Sequence, residues 1–289
     1  MVQVIGEIGG TSSRWAVLEG AAQATTWPVR GERWPGFNPV SGDGAAFASA
    51  VGAAWRVACP LALEAEEVVV YGAGCGSEER RARMRDALLQ VWPSARITVD
   101  SDLMGAALGL CGTTPALTLI LGTGMNAGYF DGTRLHRPMP SLGYLLGDEA
   151  SGADIGRQLL QDAFYGRIPE VSRQRILGEP MPALSEVLER VHGAPHPARE
   201  LAAYTALLAP HLDDAYVREL LLGRFHALAE LLVQFFEPER TATVCATGSV
   251  AYGFRELLAE VLLDRGMTLS VVEPDPLLGL VHHHRRPVA

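Results

Sequence analysis

Apolar positions along the chain fall into short runs divided by glycine-rich turns, and these runs alternate with longer stretches of helical period. Residues 2–6 run apolar and predict a strand. Gly9-Gly10-Thr11 marks a turn, and residues 14–18 predict a second strand that closes at Gly20. The same device recurs over 116–132: an apolar strand at 116–121, the turn Gly122-Thr123-Gly124-Met125-Asn126, a partner strand at 127–130 and a closing Gly132. Two such hairpins predict two related half-molecules.

Around the hairpins, strands alternate with helices. Strands are expected at 67–71, 95–99, 243–247 and 268–272. Helices are expected at 45–58, from Ser77 to about residue 91, at 103–111, from about 153 to 165, over most of 180–240 and from 248 to about 264. Ser77 is a cap, with Glu78 and Glu79 in the first turn where the helix dipole favours anions. Pro195 and Pro197 interrupt the long helical region, residues 31–43 and 141–152 read as loops, and 276–284 reads as a short returning helix. The alternation predicts an α/β fold with helices on both faces of mixed sheets.

At 289 residues the chain fits two domains of about 100–200 residues each. No run reaches the roughly 18 apolar residues of a membrane span. The chain opens on a strand, without a basic region and an apolar run, so no signal peptide is expected. The cysteines Cys59, Cys75, Cys111 and Cys245 form no Cys-x-x-Cys pair, and reduced thiols in the cytoplasm are the expectation. A net charge of -9 argues against an extended nucleic-acid surface. All 24 basic residues are arginine. That excludes a P-loop lysine, a Schiff-base lysine and a lysine general base. Any phosphate here is held by backbone N–H groups, hydroxyls, a metal or arginine.

The two glycine turns suit that task. In Gly9-Gly10-Thr11-Ser12, successive N–H groups can form an anion-binding nest, with the Thr11 and Ser12 hydroxyls as further donors. Glu7, just before the turn, can hold a hydrated magnesium ion. Gly122 and Thr123 offer a second loop of the same kind, which points to a nucleoside triphosphate. Asp102 stands where a strand meets a helix; it reads either as an N-cap, with Asp100 and Ser101 as rivals, or as a base for a substrate hydroxyl. Asp148-Glu149 precedes a helix, where acids also complement the dipole. Asn38 reads as a turn residue before Pro39. Gly248-Ser249 opens a helix against which a nucleotide can lie. The histidines form no catalytic set, and His282-His283-His284 reads as a solvated end or a metal site.

The order of Val70-Tyr71-Gly72-Ala73-Gly74-Cys75, Asp102-Leu-Met-Gly-Ala-Ala, Leu121-Gly-Thr-Gly-Met-Asn, Pro140-Ser-Leu-Gly-Tyr-Leu-Leu-Gly-Asp-Glu and Gly248-Ser-Val-Ala resembles the N-acetylglucosamine kinase and BadF/BadG-type ATPase family, within the actin, hexokinase and Hsp70 superfamily. The resemblance spans essentially the whole chain. It implies a two-lobed actin/hexokinase-like (ribonuclease H-like) fold, each lobe a mixed sheet flanked by helices. The lobes it implies are 1–112, rejoined by a C-terminal helix at 274–289, and 113–273. It further implies ATP and Mg2+ with an amino sugar, most directly N-acetylglucosamine, phosphorylated at its 6-hydroxyl. A homodimer is common in the family, and closure of the lobes to exclude water is expected.

Carried over by position, Asp102 resembles the catalytic base. Gly9, Gly10, Thr11, Ser12, Gly122 and Thr123 resemble the phosphate loops, and Gly248 and Ser249 the adenosine side. Asn38, Gly74, Asn126, Gly143 and Asp148 match positions that contact the sugar, and Glu7 the metal position, through water. The chain departs from the family at four places: Glu7 where Asp is common, Ser12 for Lys or Arg, Met125 for Ser, and Ala150 for Gly. Kinases for glucosamine or an N-acetylmuramate-type sugar, a non-catalytic sensor of sugar or nucleotide, and an ATPase activating a dehydratase through an iron–sulfur cluster all remain open at this point.

Overall fold

The computed structural model describes residues 2–20, 24–29 and 32–285. Gly31, at the start of the expected 31–43 loop, and residues 286–289 lie outside them. The chain forms two compact units, one of Met1–Gly112 with Pro276–Ala289, the other of Thr113–Asp275.

The first unit is built on the hairpin of β1 (Val2–Ile8) and β2 (Ser12–Glu19), whose strands pair antiparallel. β2 also carries β3 (Thr25–Trp27) and the two-residue β4 (Trp34–Pro35). After α1 (Gly44–Ala58) comes β5 (Glu67–Gly72), parallel to β1. α2 (Glu78–Leu89) then leads to β6 (Arg96–Ser101), parallel to β5, and α3 (Asp102–Cys111) follows. The strand order is β3-β2-β1-β5-β6.

Alternation along the strands supplies two cores. Val4, Ile8, Trp15, Val17, Val68 and Val70 face one way, onto Phe47, Val51 and Trp55 of α1 and Met84 and Leu88 of α2. Ile5, Ala16, Leu18, Val69 and Tyr71 face the other way. A sheet covered on both sides needs unbroken apolar strands, which is why Val68-Val69-Val70 reads as a run. All five tryptophans of the chain join the first of these cores, with Trp34 and Trp55 edge to face at 4.6 Å between centroids.

The second unit repeats the plan. β7 (Ala116–Leu121) and β8 (Met125–Phe130) form the hairpin, extended by β9 (Leu135–His136). A helical region follows: α4 (Gly152–Phe164), α5 (Glu170–Leu177), α6 (Leu184–Gly193), α7 (Pro197–Thr205), α8 (Ala215–Phe235) and the single turn α9 (Pro238–Thr241). β10 (Thr243–Thr247) runs parallel to β7, and after α10 (Ser249–Gly253) and α11 (Arg255–Leu263) β11 (Thr268–Glu273) runs parallel to β10. The order is β11-β10-β7-β8-β9. In each sheet the first strand of a hairpin is flanked by its partner on one side and by two later parallel strands on the other. The two expected half-molecules therefore share one sheet topology. The last helix, α12 (Leu277–Arg285), belongs to the first unit, where Leu277, Leu280 and Val281 complete the core of Ile5 and Val69.

Three local expectations change. Strand β6 runs on to Ser101, so Ser101 caps α3, its Oγ accepting the Met104 N–H at 3.2 Å, and Asp102 is the first helical residue. The helix expected over 248–264 is two helices, broken at Phe254 (φ -118, ψ 26). Pro197 opens α7 at its first position, where its missing N–H costs nothing. Among the described residues no helix is long and apolar enough to cross a membrane.

Candidate functional site

In the first unit the parallel strands β1, β5 and β6 end in register, with Ile8, Gly72 and Ser101 in one row. The carboxyl edge of such strands is where open α/β sheets present their loops to ligands. The loop after β1 is tightly held. The Gly9 N–H donates to the Ser12 carbonyl at 2.9 Å, and the Gly9 carbonyl accepts from Phe37 N–H at 3.0 Å. Gly36 lies so near that a Cβ there would stand 2.6 Å from the Thr11 nitrogen. Closure of the turn therefore uses the Gly9 N–H and leaves Gly10 and Thr11, both half-buried, between the two strands.

Asn38 is indeed a turn residue: its Oδ1 accepts the Val40 N–H at 3.0 Å, and its carbonyl accepts the N–H of Gly42 at 2.7 Å. The same Oδ1 sits over Gly74, where any Cβ would strike it, and Gly74 has φ +76. The loop after β5 is joined to β1 by the Ala73 N–H, which donates to the Ile8 carbonyl at 2.8 Å. Gly10, Asn38 and Gly74 thus gather at one place.

Asp102 stands on the first turn of α3, half-buried, its Oδ1 accepting the Leu103 N–H at 2.8 Å. Its charge reaches the next loop. The Cys75 thiol is pushed up to about 12, first by burial and next by Asp102, with Arg81 opposing. Glu7 is half-buried on β1, in the row that continues through Tyr71 to Asp100.

The second unit has the corresponding edge. Gly122 follows β7, and Gly248 follows β10 with φ +107. The Gly248 backbone passes so close to the Leu121 carbonyl that no Cβ fits there. This brings Gly122, Thr123, Gly248 and Ser249 into one loop cluster. The cluster is tied to the start of α4: the Gly152 N–H donates to the Gly122 carbonyl at 2.8 Å, and the Ala153 N–H to the Thr123 carbonyl at 3.1 Å.

Asp148 adopts φ 61, and its carboxylate accepts the Met125 N–H of β8. Burial pushes its pKa up to about 6; the charges of Glu149 and Asp154 add to this, and the Met125 hydrogen bond opposes it. Asp148, Met125 and Asn126 line a cavity of about 190 Å³ whose other walls include Met139, Leu231 and Phe235. Gly143 is not in this lining. It sits at φ +72 in the preceding loop, its carbonyl accepting the N–H groups of Leu146 and Gly147.

Sequence reasoning missed Asp154. This residue is 3% exposed and organises the turn. Its Oδ2 accepts the Ala150 N–H at 2.9 Å and Arg224 Nε at 2.7 Å, and its Oδ1 accepts Arg157 Nη2 at 2.8 Å. Arg157 also donates to the Tyr144 carbonyl at 3.1 Å. One carboxylate thus fixes Ala150, which has φ 61, and through it the turn carrying Asp148. A left-handed alanine costs about 1–2 kcal/mol, which the Asp154 hydrogen bond to its N–H helps to offset. The signal in the sequence was a lone acid inside the apolar start of α4. The cavity walls from α8 carried no motif and were also missed.

Among the described residues no group of three or more His, Cys, Asp and Glu gathers as a metal site. Of the C-terminal histidines, His284 is occupied: its Nε2 lies 3.0 Å from the Tyr71 hydroxyl, and burial pulls its pKa down to about 4.

The overall likeness to known structures is close. A candidate N-acetylglucosamine kinase from Porphyromonas gingivalis is 31% identical, with a TM-score of 0.85 over 97% of this chain and 98% of its own. The chain belongs to the N-acetylglucosamine kinase family. A second candidate N-acetylglucosamine kinase, from Chromobacterium violaceum, shares the fold at 22% identity and a TM-score of 0.67, over 98% of each chain. So does a ROK family glucokinase from Streptomyces griseus in complex with glucose and AMPPNP, at 15% identity and a TM-score of 0.59, over 98% of each chain. Its fold class is the two-lobed one of the actin–hexokinase–Hsp70 superfamily, each lobe a mixed sheet flanked by helices. No family model matches the chain, and neither does any curated protein sequence.

Proposed function

We propose that this protein is an ATP-dependent kinase that phosphorylates an amino sugar, N-acetylglucosamine first among them, to the 6-phosphate. The observation that carries the reading is Asp102: a half-buried carboxylate at the carboxyl edge of three parallel strands, beside the loop of Gly74 and Cys75. Family membership and the glucokinase crystallised with a sugar and an ATP analogue support it.

In this reading the Asp102 carboxylate takes the proton of the sugar's 6-hydroxyl as that oxygen attacks the γ-phosphorus. The bond from phosphorus to the bridging oxygen breaks, and ADP leaves with that electron pair. Base catalysis of this kind contributes about 10²–10⁴-fold. The chain lacks lysine, so the backbone of Gly10 and the hydroxyls of Thr11, Ser12 and Thr123 hold the phosphates, while the N–H groups of Gly9 and Gly122 close their turns on the Ser12 and Gly124 carbonyls. Gly248 and Ser249 take the adenosine side. Asn38, Gly74, Asn126, Gly143 and Asp148 hold the sugar. Glu7 fits a hydrated Mg2+, an ion that takes few protein carboxylates and keeps its waters and phosphate oxygens. When bound, Mg2+ neutralises charge on the phosphates. The two compact units serve as the kinase lobes, and the reaction belongs to the cytoplasm.

A dehydratase-activating ATPase needs paired cysteines at a dimer interface, and the spacing of Cys75, which is buried, and Cys111, which is half-buried, offers no such pair. A non-catalytic sensor is the second reading, motivated by Met125 and Ser12. Purified protein assayed with ATP, Mg2+ and a panel of sugars decides between them. Sugar-stimulated ADP release that is lost in Asp102→Asn upholds the kinase, whereas sugar binding by calorimetry without turnover favours the sensor.

A further inference from the structure

The cavity that holds Asn126 and Asp148 takes part of its wall from residues outside every motif. Leu231, Gln234 and Phe235 come from the last turns of α8 and share the lining with Met125 and Met139. Leu231 and Phe235 are half-buried and pack against the core of the second unit, so the helix holds them in place. At about 190 Å³ the space is smaller than the roughly 300–1,000 Å³ of sites for drug-sized ligands. It suits one substituent or one ring. The apolar part of the lining, to which Pro140 and Leu142 also belong, makes a poor partner for sugar hydroxyls, because a buried hydroxyl without a hydrogen bond is costly; the polar part is Asn126, Ser141, Asp148, Glu149 and Gln234. An acyl group fits both: its hydrocarbon tail lies on Met125, Met139, Leu231 and Phe235, and its amide finds a donor and acceptor in the Gln234 side chain. Met125 adds to this apolar wall.

We propose that this cavity receives the N-acyl substituent of the sugar, that it accepts chains longer than acetyl, and that Leu231 and Phe235 of α8 set the preferred length. The proposal rests on the amino-sugar kinase reading. Its test is a substrate series that differs only at nitrogen: glucosamine and its N-acetyl, N-propanoyl and N-butanoyl derivatives, each with ATP and Mg2+. A methylene buried on this wall raises kcat/KM about 4-fold, so N-propanoylglucosamine exceeds N-acetylglucosamine by about that factor. Phe235→Ser and Leu231→Asn, each checked for an intact melting transition, bring that ratio towards one.

A wild-type ratio at or below one overturns the proposal, as does an unchanged ratio in both folded variants. If no member of the series is phosphorylated, the kinase reading fails and the cavity is judged by calorimetry alone. Affinity that rises with chain length then upholds the acyl pocket, and a flat series or no heat overturns it.

Discussion

Replacing Asp148 with asparagine perturbs the electrostatics of the cavity while keeping its shape. Burial and the charges of Glu149 and Asp154 raise this carboxyl from 3.8 to about 6. A group whose folded pKa lies above its unfolded one stabilises the fold below the unfolded value and loses that contribution as pH rises through the folded value. Ionised Asp148 therefore burdens the native state above pH 6. A shift of this size corresponds to about 3 kcal/mol at full strength, and solvent at the cavity mouth screens it to about 1–2 kcal/mol. Asparagine still offers an oxygen to the Met125 N–H and tolerates the left-handed backbone, without the charge. Asp148→Asn is therefore expected to be about 1–2 kcal/mol more stable than wild type at pH 8 and nearly equal to it at pH 4. Urea unfolding followed by far-UV circular dichroism at pH 4, 6 and 8 measures the difference, and groups that titrate alike in both proteins cancel from it. A gap that is the same at pH 4 and pH 8 refutes the reasoning.

Asp102→Asn keeps the hydrogen bond to the Leu103 N–H, so steady-state kinetics should show kcat lowered about 10²–10⁴-fold with an unchanged melting temperature. Gly74→Ala places a methyl against Asn38 Oδ1 at a positive φ; a cost of about 1–3 kcal/mol in chemical denaturation and a raised sugar KM are expected. Asp154→Ala strands the Arg157 and Arg224 guanidinium groups and the Ala150 N–H, for a loss of about 3 kcal/mol by calorimetry.

The parts of the fold that were legible in the sequence are those set by local pattern. The hairpins of β1–β2 and β7–β8 announced themselves through apolar runs around glycine turns, and β5 through three consecutive valines that only a doubly covered sheet requires. What escaped depends on contacts between distant residues. The break at Phe254 divides an otherwise continuous helical pattern, and the two-residue strands β4 and β9 are too short to show a period. Ser101 outcompetes Asp102 as the cap because β6 runs on two residues beyond the apolar alternation, which the parallel ladder with β5 supports. The candidate site divides in the same way. Glycine loops and isolated acids were visible as types. The left-handed turn of Asp148 and Ala150, the buried hub of Asp154, and the α8 wall of the cavity arise only once α4 and α8 pack.

The central claim is phosphoryl transfer from ATP to the 6-hydroxyl of an amino sugar with Asp102 as base. Phosphorus and proton NMR of the reaction of N-acetylglucosamine with ATP and Mg2+ tests it most directly. The account predicts a phosphomonoester coupled to the protons on C6, formed in step with ADP by the wild type and at least about 100-fold more slowly by Asp102→Asn. Release of inorganic phosphate without a sugar ester, or an ester formed equally fast by Asp102→Asn, would contradict it.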